Sequence, residues 1–307
     1  METKPSNHLP YHIPALLNEA VNLLDIKPEG IYIDATFGGG GHSRAIIAKL
    51  NEKGKLFSFD RDMDAYENRI DDERFNFVHG NFRHIENFMK YYEVEKVDGI
   101  LADFGVSFHH FDTPERGFSF RNDAPLDMRM NRKSMKTAAQ IVNEWDESNL
   151  NEIFRAFADL KKPGAVVKAI ISEREKNPID TTFRLADTVR KAIDPRQEKK
   201  ELAQVFQALR IAVNHEYEDL ELFLYSTLKV LKPGGRLVTL TYHSMEDRMV
   251  KNFLKTGNIE GKEEKDFFGK VETKWKLLTR KPIEASPEEI EINPRSRSAR
   301  LRAAELI

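Results

Sequence analysis

The fold class can be read from Ile31-Tyr32-Ile33-Asp34-Ala35-Thr36-Phe37-Gly38-Gly39-Gly40-Gly41-His42-Ser43. A β-branched run ends in an acid, four glycines follow, and a helical pattern begins directly after them. Glycine has no Cβ, so a junction of this kind lets a nucleotide-like ligand approach the backbone closely. We therefore expect an α/β sheet whose first strand leads into a cofactor-binding loop that includes Gly38.

The acid of this segment, Asp34, indicates the kind of cofactor. A pyrophosphate binds bare amides at a helix N-terminus, and a carboxylate at the strand end would repel it. The same carboxylate would attract a ligand that carries an ammonium and a sulfonium group, as S-adenosyl-L-methionine does. A dinucleotide loop would also place its third glycine where this chain has Ser43, which argues against NAD. We expect Asp34 and Gly38 to belong to an S-adenosylmethionine site.

Two later residues suit the adenosyl part of such a cofactor. Asp60 ends the second predicted strand, and an acid about 20 residues after the glycine loop can accept both ribose hydroxyls. Asp62 is a nearby alternative, and a solvated acid at a strand end is the plainer interpretation. Phe82 follows the third predicted strand, where it could lie against adenine or pack in the core.

Asp103 is the candidate catalytic residue, because it ends the fourth predicted strand, where open α/β sheets place their chemistry. The lone pair of an exocyclic amine on a base is delocalised into the ring. A carboxylate that accepts its N–H groups can draw the nitrogen towards a nucleophilic geometry, and positioning then supplies much of the rate. The alternative is that Asp103 caps a helix or binds loop amides.

Short apolar runs alternate with helical patterns through the first third of the chain, which argues for a doubly wound parallel sheet. Strands are predicted at 31–35, 56–60, 75–78 and 97–102, with helical patterns at 43–50, 64–70 and 85–92. Successive helical patterns then fill 137–214, and strand signals return at 236–242. We expect a discontinuous α/β domain, residues 1–110 and 215–307, interrupted by a helical substrate-recognition insert, residues 111–214.

Composition restricts the function classes. With 48 Lys and Arg against 50 Asp and Glu, the net charge is -2, so any nucleic-acid surface must come from local clustering. The absence of cysteine excludes disulfides, thiol nucleophiles and cysteine-ligated metals. No apolar run long enough to span a bilayer and no apolar leader segment are present, so a soluble cytoplasmic protein is expected.

The loop at 108–131 is long and chemically mixed, which favours a functional role. Three arginines in it could hold phosphates: Arg116, Arg121 and Arg129. Two aromatic residues, Phe118 and Phe120, could stack on a base. The alternative is that Phe118, Met128 and Met130 pack beneath the insert, and we expect each interpretation to hold for some of these residues.

Two segments near the end of the chain complete the candidate set. His243 and Ser244 follow the late strand and could reach the catalytic pocket, whereas a hydrolase triad with Asp247 is disfavoured because no nucleophile elbow is present. A metal site at the adjacent His109 and His110 lacks an evident third ligand. The tail carries Arg295, Arg297, Arg300 and Arg302, and is either a solvated tail or an RNA-contacting arm.

These motifs together resemble the RsmH (MraW) methyltransferases over nearly the whole chain. The segments that agree in order are 38–43, 103–107, 115–120, 125–130, 206–211, 243–248 and 293–302. The resemblance implies a class I S-adenosylmethionine-dependent methyltransferase, Rossmann-like and mostly parallel, with an inserted all-helical domain. It implies methylation of the exocyclic 4-amino group of a cytidine in 16S ribosomal RNA near the decoding site, within a small ribosomal subunit. A homodimer is compatible with it.

The resemblance also implies particular site residues. Cofactor contacts are expected at Gly40, Gly41, His42, Asp60, Phe82, Asp103 and His110. Substrate contacts are expected among Arg116, Phe118, Phe120, Arg129, His243, Ser244, Arg295 and Arg297. The chain departs from the family pattern at three positions, since His110 replaces a glutamine, Leu160 an acid and Gln204 a cation. A DNA or other amine methyltransferase, or a non-catalytic RNA scaffold, remains the alternative.

Overall fold

The computed structural model describes residues 14–105, 111–133, 136–264 and 273–307. The chain forms two compact units. One contains residues Met1–Gly105 and Asp219–Ile307, and the other contains residues Val106–Glu218. The boundaries fall close to those expected from the sequence, 110/111 and 214/215. The first unit carries the sheet, and the second consists of helices and the loop that precedes them.

The strands of the first unit are β1 Ile31–Asp34, β2 Lys55–Asp60, β3 Phe75–His79, β4 Val97–Asp103, β5 Leu231–Thr241, β6 Trp275–Leu277, β7 Ile283–Glu284 and β8 Arg300–Leu306. They form one sheet in the order β3-β2-β1-β4-β5-β8-β6, with β7 also paired to β8. Strands β1 to β5 are mutually parallel, and β8 runs antiparallel to β5. This confirms the predicted mostly parallel, Rossmann-like α/β fold.

The helices are α1 Leu17–Leu24, α2 Gly41–Ile47, α3 Ile85–Tyr91, α4 Ala138–Glu144, α5 Glu147–Phe157, α6 Pro163–Arg174, α7 Thr182–Arg190, α8 Glu198–Asn214, α9 Glu216–Val230, α10 Ser244–Thr256 and α11 Pro287–Ile292. Helices α4 to α8 belong to the second unit. Within the described ranges, none of the helices has the length and apolar character needed to cross a bilayer.

The central strands are buried, which explains their nearly continuous apolar sequence. In β4, Ile100, Leu101 and Ala102 are fully buried. Leu101 belongs to a core cluster with Tyr32 of β1 and Val238 of β5. Because this core holds the strands in place, their carboxyl ends and the loops that follow them are fixed at one edge of the sheet.

The segment predicted as a helix at 64–70 is a 3₁₀ helix, Met63–Asn68, so the α-helical expectation is wrong there. The Asp62 carboxylate accepts a hydrogen bond from the Asp64 N–H at 3.1 Å and caps this turn.

The last residues form β8, which lies between β5 and β6, so the expectation of a solvated tail or free arm is wrong for residues 300–306. Leu301, Ala303 and Ala304 of this strand are fully buried. The Arg302 guanidinium is also buried and donates from Nε to Asp247 Oδ1 at 2.7 Å. An arginine can enter the interior here because its charge is neutralised by that carboxylate.

The second unit encloses its own core between α4 and α8. Leu150 and Phe154 of α5, Val167 of α6 and Leu209 of α8 are fully buried in it. The loop before α4 supplies further core residues, including Met128, which is fully buried. The loop at 111–133 is therefore partly a packing element, as the alternative interpretation of the sequence expected for Met128, Met130 and Phe118.

Candidate active site

The glycine loop adopts a conformation that requires glycine. Gly38 and Gly40 have φ angles of 50° and 75°, and a Cβ on Gly40 would lie 2.9 Å from the Phe37 ring. The loop is fixed at Gly38, whose N–H donates to Asp60 Oδ2 at 2.9 Å and whose carbonyl accepts from Asn68 Nδ2 at 3.0 Å. A Cβ on Gly38 would meet nothing within 4 Å, so open space lies beside this glycine.

Asp34 lies beneath this loop and is fully buried. Its Oδ2 accepts the Ser43 hydroxyl at 2.6 Å, and its Oδ1 accepts the Thr36 N–H at 3.1 Å. Burial raises the pKa of this carboxyl to about 6, and the two hydrogen bonds oppose that rise. Both oxygens are thus occupied by the loop itself, and the structure supports a loop-organising role. Direct attraction of a cationic ligand by Asp34 stays a prediction.

His42 and Gly41 begin α2. A Cβ on Gly41 would overlap Pro14 Cγ, so packing alone requires a glycine at this position. The His42 ring is buried, with Nδ1 3.9 Å from Asp103 Oδ2. Burial lowers the pKa of His42 to about 4, against a hydrogen bond to the Ala15 backbone that raises it, so the ring is neutral at neutral pH. Its buried Nε2 has no hydrogen-bond partner among the described residues.

Asp60 ends β2 and faces the same loop. Its Oδ2 accepts the Gly38 N–H, and its Oδ1 accepts the Asp62 N–H at 2.8 Å. Burial raises the pKa of Asp60 to about 6, against these two hydrogen bonds. A carboxylate oxygen has a second lone pair, so Asp60 can still accept the hydroxyls of a ribose. The alternative, Asp62, uses its own carboxylate to cap the following turn.

Phe82 lies in the loop after β3. Its ring makes edge-to-face contacts with Phe104 and Phe223, at centroid distances of 5.7 and 5.3 Å. The preceding residue, Asn81, accepts the Arg83 N–H at 3.1 Å through its side chain and so begins the short helix Phe82–His84. The ring is therefore part of an aromatic cluster, half-buried, and its contact with adenine stays a prediction.

Asp103 ends β4, and its backbone N–H donates to Thr36 Oγ1 at 2.6 Å. The Oδ1 atom of its carboxyl is buried and has no hydrogen-bond partner in the part of the chain that the structure describes. Burial raises the pKa of Asp103 to about 7; the Tyr242 hydroxyl opposes this rise, while the charges of Asp34 and Glu246 add to it. An unpartnered buried acceptor is costly to keep unless a ligand donor satisfies it, so this oxygen is compatible with the predicted role of Asp103, which stays a prediction.

The segment after β5 approaches Asp103 through residues that the sequence did not single out. Tyr242 lies against Gly105, where a Cβ would be 3.2 Å from the tyrosine ring. Glu246 Oε2 accepts the Tyr242 N–H at 3.0 Å. The predicted His243 instead begins α10: it accepts the Glu246 N–H at 3.4 Å, and its Nε2 lies 2.8 Å from Glu246 Oε1. Ser244 is exposed. The three-residue spacing of His243 and Glu246 is typical of a helix N-terminus, and this spacing could have identified their contact from the sequence.

In the second unit, two of the predicted phosphate ligands make contacts within the protein. Arg116 is 2 % exposed, and its guanidinium donates to the backbone carbonyls of Arg129 and Met130, both at 3.0 Å. Arg129 forms a bidentate ion pair with Asp127, from Nε to Oδ1 at 2.7 Å and from Nη2 to Oδ2 at 2.8 Å. Arg116 therefore braces the loop from inside, and the charge of Arg129 is already matched.

The two aromatic candidates also make contacts within the second unit. Phe118 is buried in the core of the second unit, and Phe120 packs edge-to-face on Phe206 at 5.3 Å. Phe118 therefore contributes apolar burial, whereas Phe120 is only partly buried and its stacking on a base stays a prediction. Arg121 in the same loop is exposed.

The remaining candidate residues stay predictions. Arg295 and Arg297 are exposed on the short helix Pro294–Ser298. His110 lies outside the described residues. Of the two departures in the second unit, Leu160 packs against the core, and Gln204 Oε1 is buried without a hydrogen-bond partner in the described ranges. No cluster of three or more acidic or histidine side chains suited to a metal ion occurs within the same ranges.

The residues present fit S-adenosylmethionine. A glycine loop with open space beside Gly38, a carboxylate at Asp60 and an unpartnered carboxylate oxygen at Asp103 stand at the carboxyl ends of β1, β2 and β4. Three acids with raised pKa values, Asp34, Asp60 and Asp103, suit a ligand with positive charge.

Comparison with known proteins agrees with this geometry. Residues 10–307 match the model of the MraW methylase family. The ribosomal RNA small subunit methyltransferase H of Phocaeicola vulgatus is 55 % identical over 295 residues, covering 96 % of this chain and 97 % of that protein. The proteins of the same name from Bacteroides thetaiotaomicron and Porphyromonas gingivalis are 52 % and 51 % identical, and cover 97 % and 99 % of this chain and 98 % and 99 % of their own lengths.

The family model thus covers almost the whole chain, including the glycine loop, the end of β4 and the helical second unit. Since these matches extend from one end of both units to the other at about half identity, the chain belongs to the MraW methylase family.

Proposed function

We propose that this protein transfers the methyl group of S-adenosylmethionine to the exocyclic 4-amino group of a cytidine in 16S ribosomal RNA, near the decoding site of the small ribosomal subunit. The family membership and the names of the relatives support the reaction class and the RNA. The observation that carries the proposal is the buried, unpartnered Oδ1 of Asp103 at the end of β4, within the described part of the chain.

That oxygen suits an amine on a base. Delocalisation makes such a nitrogen planar and weakly nucleophilic, and an acceptor on its N–H groups favours the pyramidal form that attacks. When bound, the cofactor supplies a methyl group activated by a positively charged sulfur. Asp103 orients the amine and stabilises the positive charge that develops on its nitrogen. The amine proton then leaves to water or to the Asp103 carboxylate.

The other residues of the site would hold the cofactor. The backbone of Gly38 and Gly40 offers close approach, and Asp60 accepts hydroxyl donors from a ribose. His42, neutral and buried beside Asp103, keeps an unsatisfied nitrogen available to a ligand within the described structure.

The role of the helical second unit is RNA recognition in this proposal. Its residues Val106–Glu218 carry 19 Lys and Arg against 18 Asp and Glu, so RNA would be held by local cations and not by a uniformly basic surface. Exposed Arg121, together with Arg295 and Arg297 of the first unit, are the candidate phosphate contacts that the structure leaves at the surface. We further propose a cytoplasmic protein that acts on the assembled small subunit and that can form a homodimer.

The test is methyl transfer from tritium-labelled S-adenosylmethionine to small ribosomal subunits, free 16S RNA and double-stranded DNA, with the modified base mapped by mass spectrometry. We expect label in N4-methylcytidine of the subunits. Asp103→Asn should lose at least about a hundredfold in turnover, because the amide cannot stabilise the developing charge. Asp71→Asn, at an exposed aspartate of the same unit, is the matched control.

Each alternative has its own outcome. Label in DNA alone would favour a DNA amine methyltransferase on this fold. Binding of RNA without any transfer, and without measurable binding of S-adenosylmethionine, would favour a non-catalytic scaffold. Wild-type turnover in Asp103→Asn would overturn the role given to this carboxylate.

A further inference from the structure

Asp219, in the first turn of α9, is a buried carboxylate outside the candidate cofactor and substrate residues. It is 1 % exposed. Three side-chain donors converge on it: Arg83 Nη1 at 2.8 Å, Arg61 Nη1 at 3.1 Å and Asn81 Nδ2 at 2.5 Å. A carboxylate with two arginines and an amide has its charge and its lone pairs well satisfied.

The donors come from two different loops. Arg61 follows Asp60 directly after β2, whereas Asn81 and Arg83 flank Phe82 directly after β3. These two strands are paired in parallel, so both loops leave the same edge of the sheet. Asp219 therefore joins the loop that carries the ribose acid to the loop that carries the aromatic ring proposed for adenine.

The arrangement depends on the carboxylate. Arg61 and Arg83 are only 15 % and 32 % exposed, so without Asp219 two poorly solvated cations would face each other. Arg83 Nε is already buried without a partner among the described residues. Loss of the negative charge should therefore push the two loops apart and not simply remove one hydrogen bond.

We propose that Asp219 is a positioning residue for the adenosine half of the cofactor site, fixing the spacing between Asp60 and Phe82. This inference rests on the proposed function, because that function supplies the cofactor. The residue touches no reacting atom and acts through the two loops. Its removal should weaken cofactor binding far more than it slows the chemical step at saturating cofactor.

The chain offers a matched control in the same unit. Asp247 on α10 is also buried and also bound by two arginines, accepting Arg302 Nε at 2.7 Å and Arg300 Nη1 at 3.4 Å. Both arginines belong to β8, so these bonds tie α10 to that strand and not to the loops after β2 and β3. Asp247→Asn therefore measures what a buried carboxylate of this kind contributes to stability alone.

The experiment measures binding of S-adenosylhomocysteine and of 5′-methylthioadenosine by calorimetry to the full chain and its variants, alongside thermal unfolding. Asp219→Asn should weaken both ligands by the same factor, about tenfold or more, because only the shared adenosine half is affected. Asp247→Asn should lower the unfolding temperature comparably while changing either Kd less than about twofold. Arg83→Met, which cuts one of the three bonds, should give an intermediate loss of affinity.

Unchanged affinity in a folded Asp219→Asn would overturn the inference, as would equal losses in Asp219→Asn and Asp247→Asn. If Asp219→Asn does not fold, wild-type affinity in Arg83→Met overturns it in the same way. Failure of the wild-type protein to bind either ligand contradicts the proposed cofactor instead, so the two failures are distinguishable. A turnover number at saturating cofactor that falls more than the affinity does would assign Asp219 to the chemical step and overturn the positioning role.

Discussion

Replacing Asp103 by asparagine should abolish methyl transfer. In the ligand-free protein, the same replacement should also make the variant progressively more stable than wild type as pH rises. Burial raises the pKa of this carboxyl from its ordinary 3.8 to about 7. Between these values the unfolded chain releases the proton while the folded chain keeps it, so wild-type stability falls with rising pH. Asparagine does not titrate, and its variant lacks this fall.

The magnitude follows from the two pKa values. Because the unfolded chain ionises Asp103 more readily than the folded chain, the raised pKa lowers the free energy of unfolding by about 2 kcal/mol near pH 5 and by about 4 kcal/mol near pH 8. The amide introduced by Asp103→Asn would itself be buried and adds a constant offset of about 1–3 kcal/mol in the other direction. The offset cancels when the two pH values are compared, and the difference between variant and wild type should change by about 2–3 kcal/mol.

The assay is urea unfolding of wild type, Asp103→Asn and the surface control Asp71→Asn at several pH values between about 5 and 8. The stability difference between wild type and Asp103→Asn should grow steadily in favour of the variant as pH rises. Asp71→Asn should show no such trend, since its side chain is exposed. A pH-independent difference for Asp103→Asn would refute the argument that burial leaves this carboxylate poorly compensated.

Four further outcomes are expected. Methyl transfer should rise with pH through about 7, because the ionised Asp103 carboxylate can accept hydrogen bonds from both N–H groups of the amine. A flat profile from about pH 5.5 to 8.5 would contradict this. Gly40→Ala, at φ 75°, should cost about 1–3 kcal/mol in unfolding free energy and weaken S-adenosylhomocysteine binding, whereas Gly164→Ala, with only a 3.7 Å contact to its Cβ, should do neither. Arg116→Met should lower stability by about 2 kcal/mol and leave the salt dependence of RNA binding unchanged, because this guanidinium binds backbone carbonyls inside the loop. Replacing the exposed Arg295 and Arg297 by methionine should instead reduce the slope of affinity against salt by about 2, and an unchanged slope would contradict their contact with RNA phosphates.

The sheet and the edge that bears the site could be predicted because their signals are local. Apolar runs of strand length, ended by Asp34, Asp60 and Asp103, identify parallel strands and their carboxyl ends. The glycine loop could also be predicted, since the positive φ angle at Gly40 disfavours other residues whatever surrounds it. Such local patterns predict structure without knowledge of distant contacts.

Roles that depend on a distant partner could not be read in this way. Nothing in the sequence around Arg116 distinguishes a guanidinium that binds phosphate from one that binds the carbonyls of residues 129 and 130. Arg302 looks like part of a basic tail until Asp247 and the pairing of β8 with β5 are known. Asp219 and Arg61 are 158 residues apart in the chain, so only the folded structure brings them together.

The buried acids explain why the site was visible in the sequence although its geometry was not. Burial is the largest cause of the raised pKa values of Asp34, Asp60 and Asp103, and at Asp60 the charge of Arg61 opposes this rise without cancelling it. Asp219, which is 1 % exposed, is bound by two arginines instead, so its charge is matched within the protein. We therefore propose that a positively charged ligand compensates Asp60 and Asp103 at this edge of the sheet, while direct attraction of the ligand by Asp34 stays a prediction.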